Sequence, residues 1–116
     1  MARFRIQQIV LDTNRLDVLI DFWCAALGYL LDHRTEDYAS LRDPDGLDPV
    51  LFLQRVPEPK PGGKNRSHID VEVPDERAAV ERMTALGARV LWRHPDDSWT
   101  ALADPDGNEF CVGHFG

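Results

Sequence analysis

Polar and apolar residues alternate through Ser67 to Val73, with Ile69, Val71 and Val73 on one face of an extended segment and His68, Asp70 and Glu72 on the other. That pattern predicts a strand whose apolar face lies under a helix and whose polar face is open. The same parity in Arg5 to Asp12 sets Ile9 and Leu11 under a helix and leaves Gln8, Val10 and Asp12 opposite. Helical spacing predicts a helix over Leu16 to Leu27, closed by Gly28, and a second over Glu76 to Leu86, closed by Gly87. Asn14 and Asp75 are the expected caps, because each offers a side-chain oxygen to unpaired backbone N–H groups.

Strand-like runs follow both helices, Tyr29 to Arg34 and Arg89 to Arg93, and each leads into a hairpin. The segment from Asp37 to Gly46 finds its echo in Asp97 to Gly107, both ending in Asp-Pro-Asp-Gly, and Asp43 and Asp104 lie 61 positions apart. Beyond each turn another strand is expected, Pro49 to Val56 and Glu109 to Phe115. Each half therefore reads strand, helix, strand, strand, strand. The predicted architecture is α+β: two such repeats, at residues 4–56 and 67–116, form a curved mixed sheet with an open concave face and helices outside. Residues 57–66, rich in Pro, Gly and Lys, are the expected linker. At 116 residues, the whole is expected to be a single domain.

Composition narrows the partners. A formal charge of −7 argues against nucleic acid, which demands clustered Lys and Arg. No run is long and apolar enough to span a bilayer, and Met1 to Arg5 leads directly into a strand, so neither membrane nor secretion signal is expected and the cytoplasm is the predicted compartment. Cys24 falls in a helix and Cys111 in the last strand, and no disulfide framework is indicated.

Four segments carry a resemblance. Phe22 to Tyr29, His68 to Val73, Ala103 to Phe110, and Gln54 to Lys60 together with Lys64 to His68 resemble, in order and spacing, the glyoxalase/bleomycin-resistance/dioxygenase superfamily, also called vicinal-oxygen-chelate, and within it an uncharacterised glyoxalase-like branch. The resemblance implies a small-molecule cleft on the concave sheet. In metal-dependent members of the superfamily, one ligand each from the first, fourth, fifth and eighth strands holds a divalent ion. Those positions fall here on Gln8, on Phe52 or Gln54, on His68 and on Cys111. One imidazole, one or two amides and a thiol make a poor cage for an ion that favours carboxylates and imidazoles, so no cofactor is expected. Should a divalent metal bind, His68, Gln8, Gln54 and Glu109 would hold it.

Ligand-facing candidates are Gln8, Tyr38, Phe52, Gln54, His68, Asp70, Trp99 and Cys111. Tyr38 and Trp99 occupy matching repeat positions and offer flat surfaces, and with Asp70, Glu72 and Glu109 they suit a cationic or aromatic molecule. Both aromatics read equally as core or dimer contacts, and His68 equally as a hydrogen-bonded histidine at a strand end. Cys111 also has two readings, an inert buried thiol or a nucleophile activated by His68. Three functions follow: binding or sequestration of an organic molecule without metal; a metal-dependent lyase, isomerase or dioxygenase built on His68; or a metal-free enzyme using His68 or Glu109 as base. The first is preferred, with a homodimer expected from the resemblance.

Overall fold

Eight strands and two helices follow one another in the computed structural model, which describes residues 3–96 and 98–114. Asp97, at the head of the second echoed segment, and Phe115, the expected end of the last strand, lie outside the described residues. The elements are β1 (Gln8–Thr13), α1 (Leu16–Leu27), β2 (Leu30–Arg34), β3 (Tyr38–Arg42), β4 (Val50–Arg55), β5 (Ile69–Glu72), α2 (Glu76–Ala85), β6 (Arg89–Arg93), β7 (Trp99–Ala103) and β8 (Glu109–Gly113). Two βαβββ units result, each an α+β structure with its own four-stranded mixed sheet. The sheet orders are β1-β4-β3-β2 and β5-β8-β7-β6, with the outer pairs β1–β4 and β5–β8 parallel and the rest antiparallel. The chain forms two compact units, one ending at Pro59 and the other beginning at Lys60.

In the first unit α1 packs its buried Leu16, Leu19, Ile20, Phe22 and Trp23 against Ala39, Leu41, Leu51 and Leu53. Phe22 and Trp23 meet edge to face with ring centroids 5.1 Å apart. The second unit repeats the scheme, with Val80 and Met83 of α2 set over buried Leu102, Phe110 and Val112. Truncating a side chain as enclosed as Phe110, at 1% exposure, typically costs about 3–5 kcal/mol. Thr100, also buried, donates its hydroxyl to the Glu76 carboxylate and ties the start of α2 to β7.

The predicted helix stop at Gly28 holds: it takes φ 69°, a left-handed conformation open to glycine without a side-chain clash. The second helix ends earlier than expected, at Ala85, with Leu86 still right-handed and Gly87 turning the chain at φ 118°. Asp75 caps α2 as expected, accepting the Ala78 N–H at 3.1 Å. At α1 the cap position belongs to Arg15, not Asn14, and the buried Thr13 hydroxyl accepts the Arg15 N–H at 2.8 Å. A β-branched strand end thus performs the turn that the sequence pattern assigned to the asparagine.

Both Asp-Pro-Asp-Gly segments are turns organised by their first aspartate. Asp43 accepts N–H bonds from Asp45, Leu47 and Asp48, and the first and last of these lead in holding its carboxyl below the usual range. Asp104 accepts from the backbone of Asp106 and Asn108 and from the Asn108 amide, but does so while 3% exposed.

Candidate functional site

Strand parity decides which side chains are available for chemistry. In the first unit Leu51, Leu53, Ala39 and Leu41 are buried under α1, leaving Phe52, Gln54, Tyr38 and Ser40 on the other face. The parallel pairing adds Gln8 opposite Val50, Val10 opposite Phe52, and Asp12 opposite Gln54. Tyr38 stacks on Phe52 with centroids 5.0 Å apart and interplanar angle 23°, and His33 leans on Tyr38 at 5.7 Å. Four expected ligand-facing residues of this unit, Gln8, Tyr38, Phe52 and Gln54, therefore share one sheet face.

The second unit carries a cavity of about 800 Å³, lined by residues of this unit, among them Lys64, His68, Asp70, Trp92, Trp99 and Cys111. Register explains the convergence. Asp70 lies directly across from Cys111 on the parallel strand, Ala101 lies across from Cys111 on the antiparallel one, and the small alanine leaves room above the thiol. Trp99 and Trp92 form the wall, ring centroids 4.9 Å apart, with His94 5.4 Å from Trp99. His68, one residue ahead of β5, puts Nε2 3.1 Å from an Asp70 carboxylate oxygen. Potential donor atoms of His68, Asp70 and Cys111 all lie within 4.8 Å of one another.

Glu109 lines the same cavity, but one carboxylate oxygen is engaged, accepting the Asn65 N–H at 2.8 Å. That bond fastens the connecting segment along the rim, where Gly63 and Lys64 complete the lining. Burial pushes the Cys111 thiol above its ordinary value, Asp70 and Glu109 push further the same way, and Lys64 opposes them. Such a shift disfavours the thiolate, the form a nucleophilic cysteine needs.

The sequence matches the family described as glyoxalase-like domain over residues 8–113, a span that takes in both units and every strand named above. The chain belongs to the glyoxalase-like domain family. With it comes membership of the vicinal-oxygen-chelate superfamily. Solved structures agree in fold. The glyoxalase-like chain is similar to the bleomycin-binding protein of bleomycin-producing Streptomyces verticillus, solved with copper(II)-bleomycin, with TM-score 0.66, 21% identity and 100% of each chain covered. It is also similar to glyoxalase I of Leishmania major, with TM-score 0.73, 19% identity, 97% of this chain and 87% of that one. A third is a glyoxalase/bleomycin resistance protein/dioxygenase family enzyme of Burkholderia phytofirmans, with TM-score 0.72, 14% identity, 93% and 96%. No curated protein matches the sequence.

Internal symmetry of this glyoxalase-like chain bears on the fourth-strand position. Cys111 faces Asp70, two residues past His68; correspondingly Phe52 faces Val10, two residues past Gln8. Phe52, which has no donor, is therefore the counterpart of Cys111. Gln54 stands four residues along from Val50, the partner of Gln8, so the two backbone positions are about 13 Å apart along the sheet. Of the ligand set expected from sequence, His68, Gln8, Gln54 and Glu109, the last has one carboxylate oxygen held by the Asn65 N–H. Within the second unit imidazole, carboxylate and thiol do converge. Those three donors fit a borderline-soft divalent ion of the zinc type.

Sequence reasoning missed Trp92 and Leu91, which both line the cavity. A bulge in β6 is the reason: register jumps between Val90, opposite buried Leu102, and Trp92, opposite Ala101. The extra residue lets two neighbours face one cavity, which strict alternation forbids. The same irregularity recurs in β2 between Leu31 and His33, so a bulge in one half signals a bulge in the other.

Proposed function

We propose that this glyoxalase-like protein binds a flat organic cation on the open face of its second unit and holds it without turnover, in the manner of a sequestering protein. One observation carries the reading: two tryptophans wall an 800 Å³ cavity whose polar lining includes the carboxylates of Asp70 and Glu109. Aromatic faces and carboxylates both attract positive charge, and tilted indoles grip a planar ring at small entropic cost. The volume lies in the range of pockets that enclose drug-sized ligands. The similar Streptomyces verticillus protein is itself a bleomycin-binding protein, solved with copper(II)-bleomycin. Burial that disfavours the Cys111 thiolate, and the Asn65 bond on one oxygen of Glu109, favour binding over catalysis.

Titration of chelator-treated protein with ethidium, followed by quenching of tryptophan fluorescence, tests the proposal. Saturable quenching is expected, weakened about tenfold in Trp99→Ala, in line with about 1.4 kcal/mol of lost stacking and cation attraction, while ligand recovered after incubation is unchanged by mass spectrometry. A neutral planar analogue binding as tightly, or Trp99→Ala binding unchanged, overturns it. We further propose that the protein acts in the cytoplasm; among the described residues no helix is long and apolar enough to cross a membrane.

A further inference from the structure

Each unit builds an aromatic platform on the same sheet face, and only the first unit covers its own. There Tyr38 lies diagonally beside Phe52 across the β3–β4 pair, and the two rings stack with centroids 5.0 Å apart at an interplanar angle of 23°. The ladder of the second unit matches position for position: Trp99 stands where Tyr38 does, Ala101 where Ser40 does, and Cys111 where Phe52 does. On the bulged strands Trp92 corresponds to His33, the one 4.9 Å from Trp99 and the other 5.7 Å from Tyr38. The platform is therefore present twice, while the ring that lies on it in the first unit has no counterpart in the second. A thiol is far smaller than a phenyl ring, and Ala101 beside it adds only a methyl group. Gly113 stands across from Trp99 with no side chain, where Gln54 stands across from Tyr38. The cavity of about 800 Å³ opens over this gap, with Trp99, Ala101 and Cys111 in its lining.

We infer that the second unit takes a single six-membered aromatic ring of its ligand in the place that Phe52 fills in the first, stacked on Trp99 over Cys111, with the ligand's positive charge on that ring or one atom away, toward Asp70. The inference deepens the proposed binding of a flat organic cation and rests on it: it names the anchoring group and the residue that reads its size. An aromatic face pairs best with an offset or tilted ring at a centroid distance of about 4.5–7 Å. Tyr38 and Phe52 show this chain making such a pair within one sheet. The preference for charge follows from a second difference between the units. Val10 lies across from Phe52, whereas Asp70 lies across from Cys111. The first unit thus sets a neutral ring beside an apolar side chain, and the second offers a carboxylate at the same point of the ladder. A pyridinium or arylmethylammonium group gains there from both the indole face and the carboxylate, and a neutral arene of the same shape gains from the indole alone. Cys111 acts by being small. A large side chain at that position would do to the second unit what Phe52 does to the first.

Nuclear magnetic resonance titration of chelator-treated full-length protein tests the assignment, with N-methylpyridinium as the probe and toluene as its neutral counterpart of the same shape. One equivalent of N-methylpyridinium should bind, about tenfold more tightly than toluene. Its ring protons should show nuclear Overhauser contacts to the Trp99 indole and to the Cys111 β protons. Affinity should fall in the order Cys111→Ala, Cys111→Leu, Cys111→Phe, with a loss of about tenfold or more at phenylalanine. Asp70→Asn should bring N-methylpyridinium down to the level of toluene. Circular dichroism confirms that each variant is folded, and the contact measurement on the native protein needs no substitution. Toluene binding as tightly as N-methylpyridinium, ring contacts to Trp92 without Trp99 and Cys111, or full affinity in folded Cys111→Phe overturns the inference. Ethidium titrated against the same variants separates it from the reading beneath it. Saturable ethidium binding by the native protein and by Cys111→Phe alike overturns the ring placement and leaves cation binding standing, whereas no ethidium binding by the native protein overturns both.

Discussion

Asp43 and Asp104 invite a comparison in which counting contacts and weighing burial give opposite answers. At least three hydrogen bonds end on each carboxylate across an Asp-Pro-Asp-Gly turn, and a tally of these alone predicts the same loss on mutation to alanine. Asp104, however, is 3% exposed and its donors on Asp106 and Asn108 are half-buried, whereas residues 44–49 stand in solvent. Donors stripped of a charged acceptor inside the protein cost about 1.5–3 kcal/mol each before relaxation, while exposed ones turn to water. Allowing for partial rehydration, Asp104→Ala should cost about 3 kcal/mol. At roughly 4 °C per kcal/mol for a chain near this length, Tm falls by about 12 °C. Asp43→Ala should move Tm far less, and Asp104→Asn, which keeps one acceptor oxygen, should fall between. Differential scanning calorimetry on the three variants measures the order. Equal shifts for the two alanine variants would refute the burial argument and leave bond counting as the better guide.

Two further outcomes are expected. With Cys24 replaced by Ser, alkylation of Cys111 by iodoacetamide should follow a pH profile whose midpoint lies above the ordinary thiol value of 9.0, because burial foremost and Asp70 next disfavour the thiolate. Asp70→Asn removes one of those causes and should bring the midpoint down; a midpoint at or below 9.0 in the parent would contradict the burial of this thiol. The exposed apolar residues of the edge strands outside the cavity, Leu30 and Leu31 on β2 and Val90 on β6, favour a homodimer, and gel filtration at micromolar concentration should give twice the 13.2 kDa chain mass. A monomer peak under those conditions counts against pairing.

Much of the architecture is legible in the sequence because its signals are local. The bounds of α1 at Leu16 and Leu27 and of β6 at Arg89 and Arg93 follow from apolar spacing and flanking glycine, and the buried face of β4 follows from simple alternation. Where reading fails, the cause is non-local. Nothing in the order of letters around Val90 to Trp92 announces a bulge, since the inserted residue is defined only by its partner strand. The cap position of α1 falls to Arg15 instead of Asn14, with the Arg15 N–H bonded to the buried Thr13 hydroxyl, which local propensity does not encode. The role of Asp70 emerges only once the register of β5 on β8 sets it beside Cys111, and the pairing of Asn65 with Glu109 spans 44 positions.

That last pairing bears on how the protein is to be taken apart. An engineer trimming the second repeat at Ser67, where its periodic pattern begins, would discard Gly63, Lys64 and the backbone anchor at Asn65, and with them part of the binding chamber's rim. Glu109 would then lose the N–H that holds one of its oxygens, and the loss of Lys64 would change the charge of the chamber. The connector is thus a component of the recognition surface, and shuffling it among relatives offers a way to retune ligand preference with all eight strands left intact.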